Sequence, residues 1–243
     1  MLKTFGIVSG KGGTGKSTVS YGLSVAFSKM NKSVLLVDLD EGLRCLDTIM
    51  GLDKKVTNDL SDLLIGAPIE NAVYKSEIYE NLNLVPAPCD TGVINYVNLS
   101  DLHKRVSKIY DIIIYDFPAG IDVDKLTAIG DEAKFIIVSN SDGISLKDAA
   151  AVKNNLPKTK EEPRIIINRF FNEFIKDGIW GSIDDMIDAS GLRLIGIVPS
   201  SLEAATLSVS HKFAKNSRVF SAFQRIAKRL CGEEVLLPKI NKI

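Results

Sequence analysis

The sequence predicts an α/β fold: a doubly wound, mostly parallel sheet flanked by helices. Three observations predict it. Short apolar runs recur along the whole chain, each run is apolar throughout rather than alternating, and helix-like stretches lie between them. Unbroken apolarity is what a strand needs when helices cover both of its faces.

The elements follow in order. Phe5-Gly6-Ile7-Val8 reads as the first strand, then a glycine-rich turn, then a helix over about 16–30. Val34-Leu35-Leu36-Val37 is the second strand, with helical character at 43–50. Leu82-Asn83-Leu84-Val85 precedes a helix at 98–108, and Ile112-Ile113-Ile114-Tyr115 precedes one at 122–131. Phe135-Ile136-Ile137-Val138 leads to a helix at 144–155, and Ile165-Ile166-Ile167 to one at 181–190. Leu194-Ile195-Gly196-Ile197-Val198 is the last strand, before a helix at 216–231. Each run is rich in β-branched residues and bounded by Gly, Pro, Asp or Asn, which punctuate strands. No repeat or Pro/Gly-rich linker interrupts the pattern, so residues 1–243 read as a single domain.

Composition narrows the function. With 45% hydrophobic and 25% charged residues the chain can build an ordinary core. Thirty basic residues balance thirty acidic ones, which argues against a wholesale nucleic-acid binder. No apolar run approaches the roughly 18 residues of a membrane span, and Met1-Leu2-Lys3-Thr4-Phe5 lacks the apolar core of a signal peptide. The cysteines, Cys45, Cys89 and Cys231, are odd in number and far apart, which speaks against a disulfide framework and for packing thiols in a reducing cytoplasm.

The turn after the first strand carries the chemistry. Residues 10–18 read Gly10-Lys11-Gly12-Gly13-Thr14-Gly15-Lys16-Ser17-Thr18, which fits GxxxxGK[ST]. Glycines let main-chain amides point inward as an anion nest, and the following helix adds its positive end. Lys16 is placed to meet β- and γ-phosphates, and Ser17 to offer its hydroxyl to Mg²⁺. The same glycines also fit GxGxxG, as Gly10, Gly12 and Gly15, with Asp38 near the position of a ribose-binding acid. That rival, an NAD-binding Rossmann oxidoreductase, leaves Lys16 and Ser17 without a task.

Carboxylates stand at two strand ends. Asp38 and Asp40 are spaced by two, so both point toward the crevice outside the sheet's carboxyl edge. Asp116 follows the fourth run in the Walker B manner and is expected to serve Mg²⁺. Asn168 ends a strand and can offer both a donor and an acceptor to a base edge. No N-K-x-D guanine motif occurs.

Lys11, directly after the first glycine, makes the loop a deviant Walker A, and here the chain resembles the MinD/ParA family of P-loop ATPases, most of all its MinD branch. Three further segments carry the resemblance: Val37 to Asp47 (VDxDxGLRxLD), then Ile49-Met50-Gly51, and Asp116 to Gly120 (DxPAG). The resemblance implies ATP and Mg²⁺ as ligands and a nucleotide-sandwich homodimer in which Lys11 reaches the partner's phosphates. It implies slow, partner-stimulated hydrolysis with Asp40 orienting the water and Asp38, Ser17 and Asp116 around Mg²⁺. It also implies an amide from Gly120 on the γ-phosphate, with Asn168, Arg169 and Pro199 flanking adenine. The cellular role implied is a spatial switch in division-site selection with a protein regulator such as a division inhibitor, a ParA-like or flagellar/secretion-apparatus positioning ATPase being the alternative. Phe117 stands where the family has a small residue.

The family usually continues into an amphipathic membrane-targeting helix. Here Val235 to Ile243 is short and interrupted by Pro238, so membrane contact is not expected from these residues; the localisation read is cytoplasmic, peripheral to the membrane if a targeting tail follows. Residues 211–243 hold eight Lys/Arg and two Glu, a local charge of +6 that would admit DNA, but a solvated face around the apolar stripe Val219, Phe223, Ile226 and Leu230 is the favoured reading. His103, His211 and Trp180 read as packing, surface or loop-anchoring residues.

Overall fold

A computed structural model describes residues 3–240 and 243. In chain order the elements are β1 (Lys3–Val8), α1 (Lys16–Ser28), β2 (Val34–Asp38), α2 (Leu46–Met50), α3 (Leu60–Leu64), β3 (Tyr74–Lys75), β4 (Leu82–Val85), α4 (Tyr96–Val106), β5 (Ile112–Asp116) and α5 (Val123–Ala128). They continue with β6 (Lys134–Asn140), α6 (Gly143–Asn155), β7 (Arg164–Phe170), α7 (Glu173–Lys176), α8 (Ile183–Ser190), β8 (Arg193–Pro199), α9 (Leu202–Ala205), α10 (Leu207–Ser210) and α11 (Arg218–Leu230).

The strands form one eight-stranded sheet in the order β3-β4-β2-β5-β1-β6-β7-β8. Every pair is parallel except β3 with β4. Both faces are covered, as unbroken apolarity requires. Val34 and Leu36 of β2, Ile112 and Ile114 of β5 and Ile136 of β6 pack in the layer with α1, α2, α10 and α11. Their neighbours Leu35, Val37, Ile113, Tyr115 and Ile137 pack in the layer with α3, α4, α5, α6 and α8.

All seven expected strands and seven expected helices are present, with ends moved by a few residues. α4 begins at Tyr96 because Asn95 and Asn98 form a reciprocal capping box. α2 begins only at Leu46, since Leu39–Cys45 belongs to a loop rather than to a helix. The additional elements, β3 and the four- and five-residue helices α3, α7, α9 and α10, are too short to carry a period.

The order places β1 beside β6, and the connection from β1 runs to β2 on one side while that from β6 runs to β7 on the other. A crevice forms outside the carboxyl edge of the sheet at such a reversal. The glycine-rich turn after β1 and the acid that ends β5 meet there.

Candidate functional site

The turn from Ser9 to Gly15 runs from a fully buried strand into α1. The Ser9 hydroxyl donates to the Lys11 carbonyl at 2.8 Å and closes the turn from within. Gly13 and Gly15 take φ of +78° and +86°, in the left-handed region that costs side-chain-bearing residues most. Gly15 is required for a second reason: a Cβ there would lie 2.3 Å from Asn168 Nδ2. No side chain caps the amino end of α1 and no acid lies in its first turn, so its leading amides are free to take an anion. Among the described residues the buried Thr14 hydroxyl oxygen also lacks a partner. Lys16 is buried, where burial of a charged group is costly unless it is paired or hydrogen-bonded.

Asp116 and Asp40 supply opposite charge beside it. Asp38 and Asp116 occupy equivalent register positions on the adjacent parallel strands β2 and β5, and each is 1% exposed. Burial and the neighbouring Asp116 push the Asp38 carboxyl well above the usual carboxylate range. Burial pushes Asp116 up to about 6 against the pull of Lys16, Ser17 and Ser20. Ser20 donates its hydroxyl to Asp116 Oδ1 at 2.8 Å. Asp38 accepts the amides of Asp40 (3.1 Å) and Leu46 (3.3 Å), so it shapes the loop that presents Asp40. Asp40 is half-buried; burial raises its carboxyl and Lys16 opposes the rise.

Two adjacent carboxylates of this kind want a cation. Among the described residues no cluster of three or more His, Cys, Asp or Glu could hold a metal by itself. Mg²⁺ takes one or two protein oxygens and completes its shell with water and phosphate. Ser17, Asp38 and Asp116 fit such a set.

The remaining expected residues are placed as follows. Lys11 forms an ion pair with Asp148 of α6 at 2.8 Å, both side chains being partly exposed. The Gly120 amide donates to the Ser9 carbonyl at 3.0 Å. Asn168 is buried and its Nδ2 donates to the Thr14 carbonyl at 2.8 Å, which fastens β7 to the glycine turn. Gly15, Thr18, Asn168, Arg169, Pro199, Ser200 and Ser201 border a cleft of about 110 Å³. Arg169 enters it at φ +51°, a conformation rare for arginine, next to register shifts between β7 and β8. A larger cavity, about 400 Å³, lies at the opposite edge of the sheet against the end of α11 and is lined by none of these residues.

Several packing expectations are met. Phe223 is buried, and Trp180 anchors a loop by donating Nε1 to the Ser141 carbonyl at 2.9 Å. The stripe on α11 is buried, as a solvated basic face on its other side requires. The cysteines need a correction: Cys45 and Cys89 are exposed, and only Cys231 is partly buried against the core. Cys89 instead lies at the site's margin, where its Sγ accepts from Arg44 Nη1 at 3.1 Å while Arg44 also grips Asp47. Phe117 is 3% exposed and packs beneath β1, so the bulky residue is a core residue at that point.

Sequence reasoning missed Glu41. Its carboxylate accepts the Val93 and Ile94 amides and the Lys125 ammonium, partners 52, 53 and 84 residues away. No local spacing announces such a contact.

A glycine nest over a buried lysine, facing paired strand-end carboxylates at the reversal of a parallel sheet, defines the class of P-loop nucleotide-binding proteins. The AAA domain family profile matches residues 2–169. Within that class the chain belongs to the MinD family. It is 31% identical over 245 residues to the septum site-determining protein MinD of Bacillus subtilis, covering 97% of this chain and 91% of that one. The MinD chain of a MinC:MinD cell division protein complex from Aquifex aeolicus superposes with a TM-score of 0.86 at 31% identity, covering 98% of both chains. MinD from Pyrococcus horikoshii, solved with Mg-ADP, gives 0.77 at 28% identity, covering 95% of this chain and 96% of that one.

Proposed function

We propose that this chain binds Mg-ATP, closes with a second copy around the nucleotides, and hydrolyses ATP as a timed switch in division-site selection. The observation that carries the reading is the buried carboxylate of Asp116, set beside Lys16 of the glycine turn and paired in register with a second buried acid, Asp38. Without a cation that arrangement only costs free energy. With Mg²⁺ and phosphates it becomes a charge-balanced site.

The amides from Gly10 to Thr18 receive the phosphate oxygens, and Lys16 sits against the β- and γ-phosphates. Ser17 and Asp116 would hold the metal, with Asp38 behind them. Bound Mg²⁺ supplies charge neutralisation to the phosphate being transferred. Asp40 orients the attacking water; that water forms the new bond to the γ-phosphorus as the bond to the ADP oxygen breaks. Lys11 leaves Asp148 and reaches the partner's phosphates, which adds positive charge where charge develops. Gly120 turns its amide from Ser9 to the γ-phosphate. Thr18, Arg169 and Pro199 border the base, and Asn168 faces it with the oxygen that its bond to Thr14 leaves free.

The dimer presents a surface that the monomer lacks, and a protein regulator of the MinC kind fits that role, given that the Aquifex relative was solved as a MinC:MinD complex. Among the described residues no helix is long and apolar enough to cross a membrane.

Calorimetry tests the reading. Uptake of ATP should require Mg²⁺ and vanish in Lys16→Ala, whereas Asp40→Ala should bind ATP and lose about a hundredfold in turnover. Absence of magnesium-linked uptake by the unaltered protein ends the proposal.

A further inference from the structure

We infer that Glu41 is a positioning residue that couples the two nucleotide-sensing loops, so that the placement of Asp40 depends on helix α5. The inference rests on the ATPase reading above. Glu41 follows Asp40 directly on the loop between β2 and α2. One carboxylate oxygen accepts the Val93 and Ile94 amides at 2.8 and 2.9 Å, in the loop before α4. The other accepts the Lys125 ammonium of α5 at 2.6 Å. The two side chains are only 11% and 14% exposed.

Burial makes this an exacting contact. A desolvated carboxylate and ammonium repay their lost hydration only when their remaining polar positions are also matched. Glu41 meets that condition, with three donors on two oxygens. A half-buried ion pair with a full hydrogen-bond set has one good geometry, so it passes on a displacement rather than absorbing it.

The three segments it joins are remote in sequence, and two of them flank the proposed phosphate site. The Asp40 loop is one. The stretch after Asp116, running through Gly120 into α5, is another. At the start of α5, Asp122 caps the helix by accepting the Lys125 amide at 3.2 Å, so the lysine stem is fixed to the end of that stretch. A γ-phosphate that draws Gly120 toward it therefore pulls α5, Lys125 and Glu41, and with them Asp40. The coupling element is a defined bond between two elements that both face the phosphate.

Two substitutions isolate it. Glu41→Gln keeps an oxygen for Val93 and Ile94 but sets an amide against the ammonium; Lys125→Met keeps the apolar stem and removes the charge. Each should lower kcat about tenfold with the ATP dissociation constant within about twofold, and the double variant should fall no further, because both remove one interaction. Hydrogen exchange on the nucleotide-free protein supplies a readout that activity does not. Lys125→Met, a change on α5, should speed exchange across residues 39–45 about tenfold while the sheet strands keep their protection. A kcat within about twofold of the unaltered chain, or losses that multiply in the double variant, overturns the inference. Unchanged exchange in 39–45 also overturns it. If the unaltered chain turns over no ATP, the ATPase reading fails, and the exchange arm alone judges the tie between the loops.

Discussion

Asp38 and Asp116 are the residues whose chemistry is most at odds with stability. Each is a buried acid beside another, and the nucleotide-free protein bears that repulsion. Asp116→Asn keeps an acceptor for Ser20 and removes one charge, so the nucleotide-free protein should melt several degrees higher while losing magnesium-dependent ATP binding. Differential scanning fluorimetry with and without Mg-ATP checks both halves, and an unchanged or lower melting point in the absence of ligand contradicts the first. His103 gives a pH signature of opposite origin. Its ring lies against Tyr115, with Nδ1 3.1 Å from the phenol oxygen, and burial lowers its pKa from the ordinary 6.5. A group that charges more easily unfolded than folded removes stability as pH falls through its unfolded pKa. His103 should therefore withdraw stability below about pH 6.5, against the opposite contribution of the raised Asp38 and Asp116 carboxyls, so the unaltered protein should lose more, or gain less, on acidification than His103→Gln. Parallel urea titrations of the two proteins, compared between neutral and mildly acid pH, measure the difference; identical slopes refute it.

Helix α1 carries the glycine turn, and α11 fixes α1. Six apolar residues of α11 (Val219, Ala222, Phe223, Ile226, Ala227 and Leu230) are buried on the face toward it and β8. Gly22 of α1 makes the close approach possible, since a Cβ there would lie 2.3 Å from the Phe223 ring. Alanine is the better helix former by about 1 kcal/mol, but overpacking a filled core costs about 1–3 kcal/mol. The steric effect wins on these magnitudes. Gly22→Ala is expected to destabilise, and adding Phe223→Leu, which clears the collision, to recover part of the loss. Chemical denaturation decides, and a Gly22→Ala protein more stable than its parent shows that the interface yields more easily than this packing suggests.

On the scale of the whole molecule, the strand order brings distant segments to one edge. The glycine turn, Asp40, Asp116 and Asn168 come from the carboxyl ends of four different strands, β1, β2, β5 and β7, which the parallel order brings to one edge. Lys11 stands at the same edge, bound to Asp148 by a partly exposed ion pair. Such pairs contribute about 0–1 kcal/mol, so the lysine is readily released to a second molecule. Sedimentation velocity with a non-hydrolysable ATP analogue should show the unaltered chain as a dimer and Lys11→Ala as a monomer that still binds the nucleotide. A dimer of equal strength in the variant means that the lysine does not act across the interface.

Much of this was legible in the residues themselves. Seven apolar runs announced seven buried strands, because a strand covered on both faces has no polar positions to alternate with. The glycine turn, Lys16 and the strand-end acids were legible for a similar reason: their geometry is local and set by backbone conformation. Only the tertiary structure decided the rest. It turned Phe117 into the core and left Cys45 and Cys89 outside it. It joined Asn168 to Thr14 across 154 residues and Glu41 to Lys125 across 84. Contacts of that kind depend on where whole elements dock, and a hydrogen bond between remote segments leaves no periodicity in the chain that makes it.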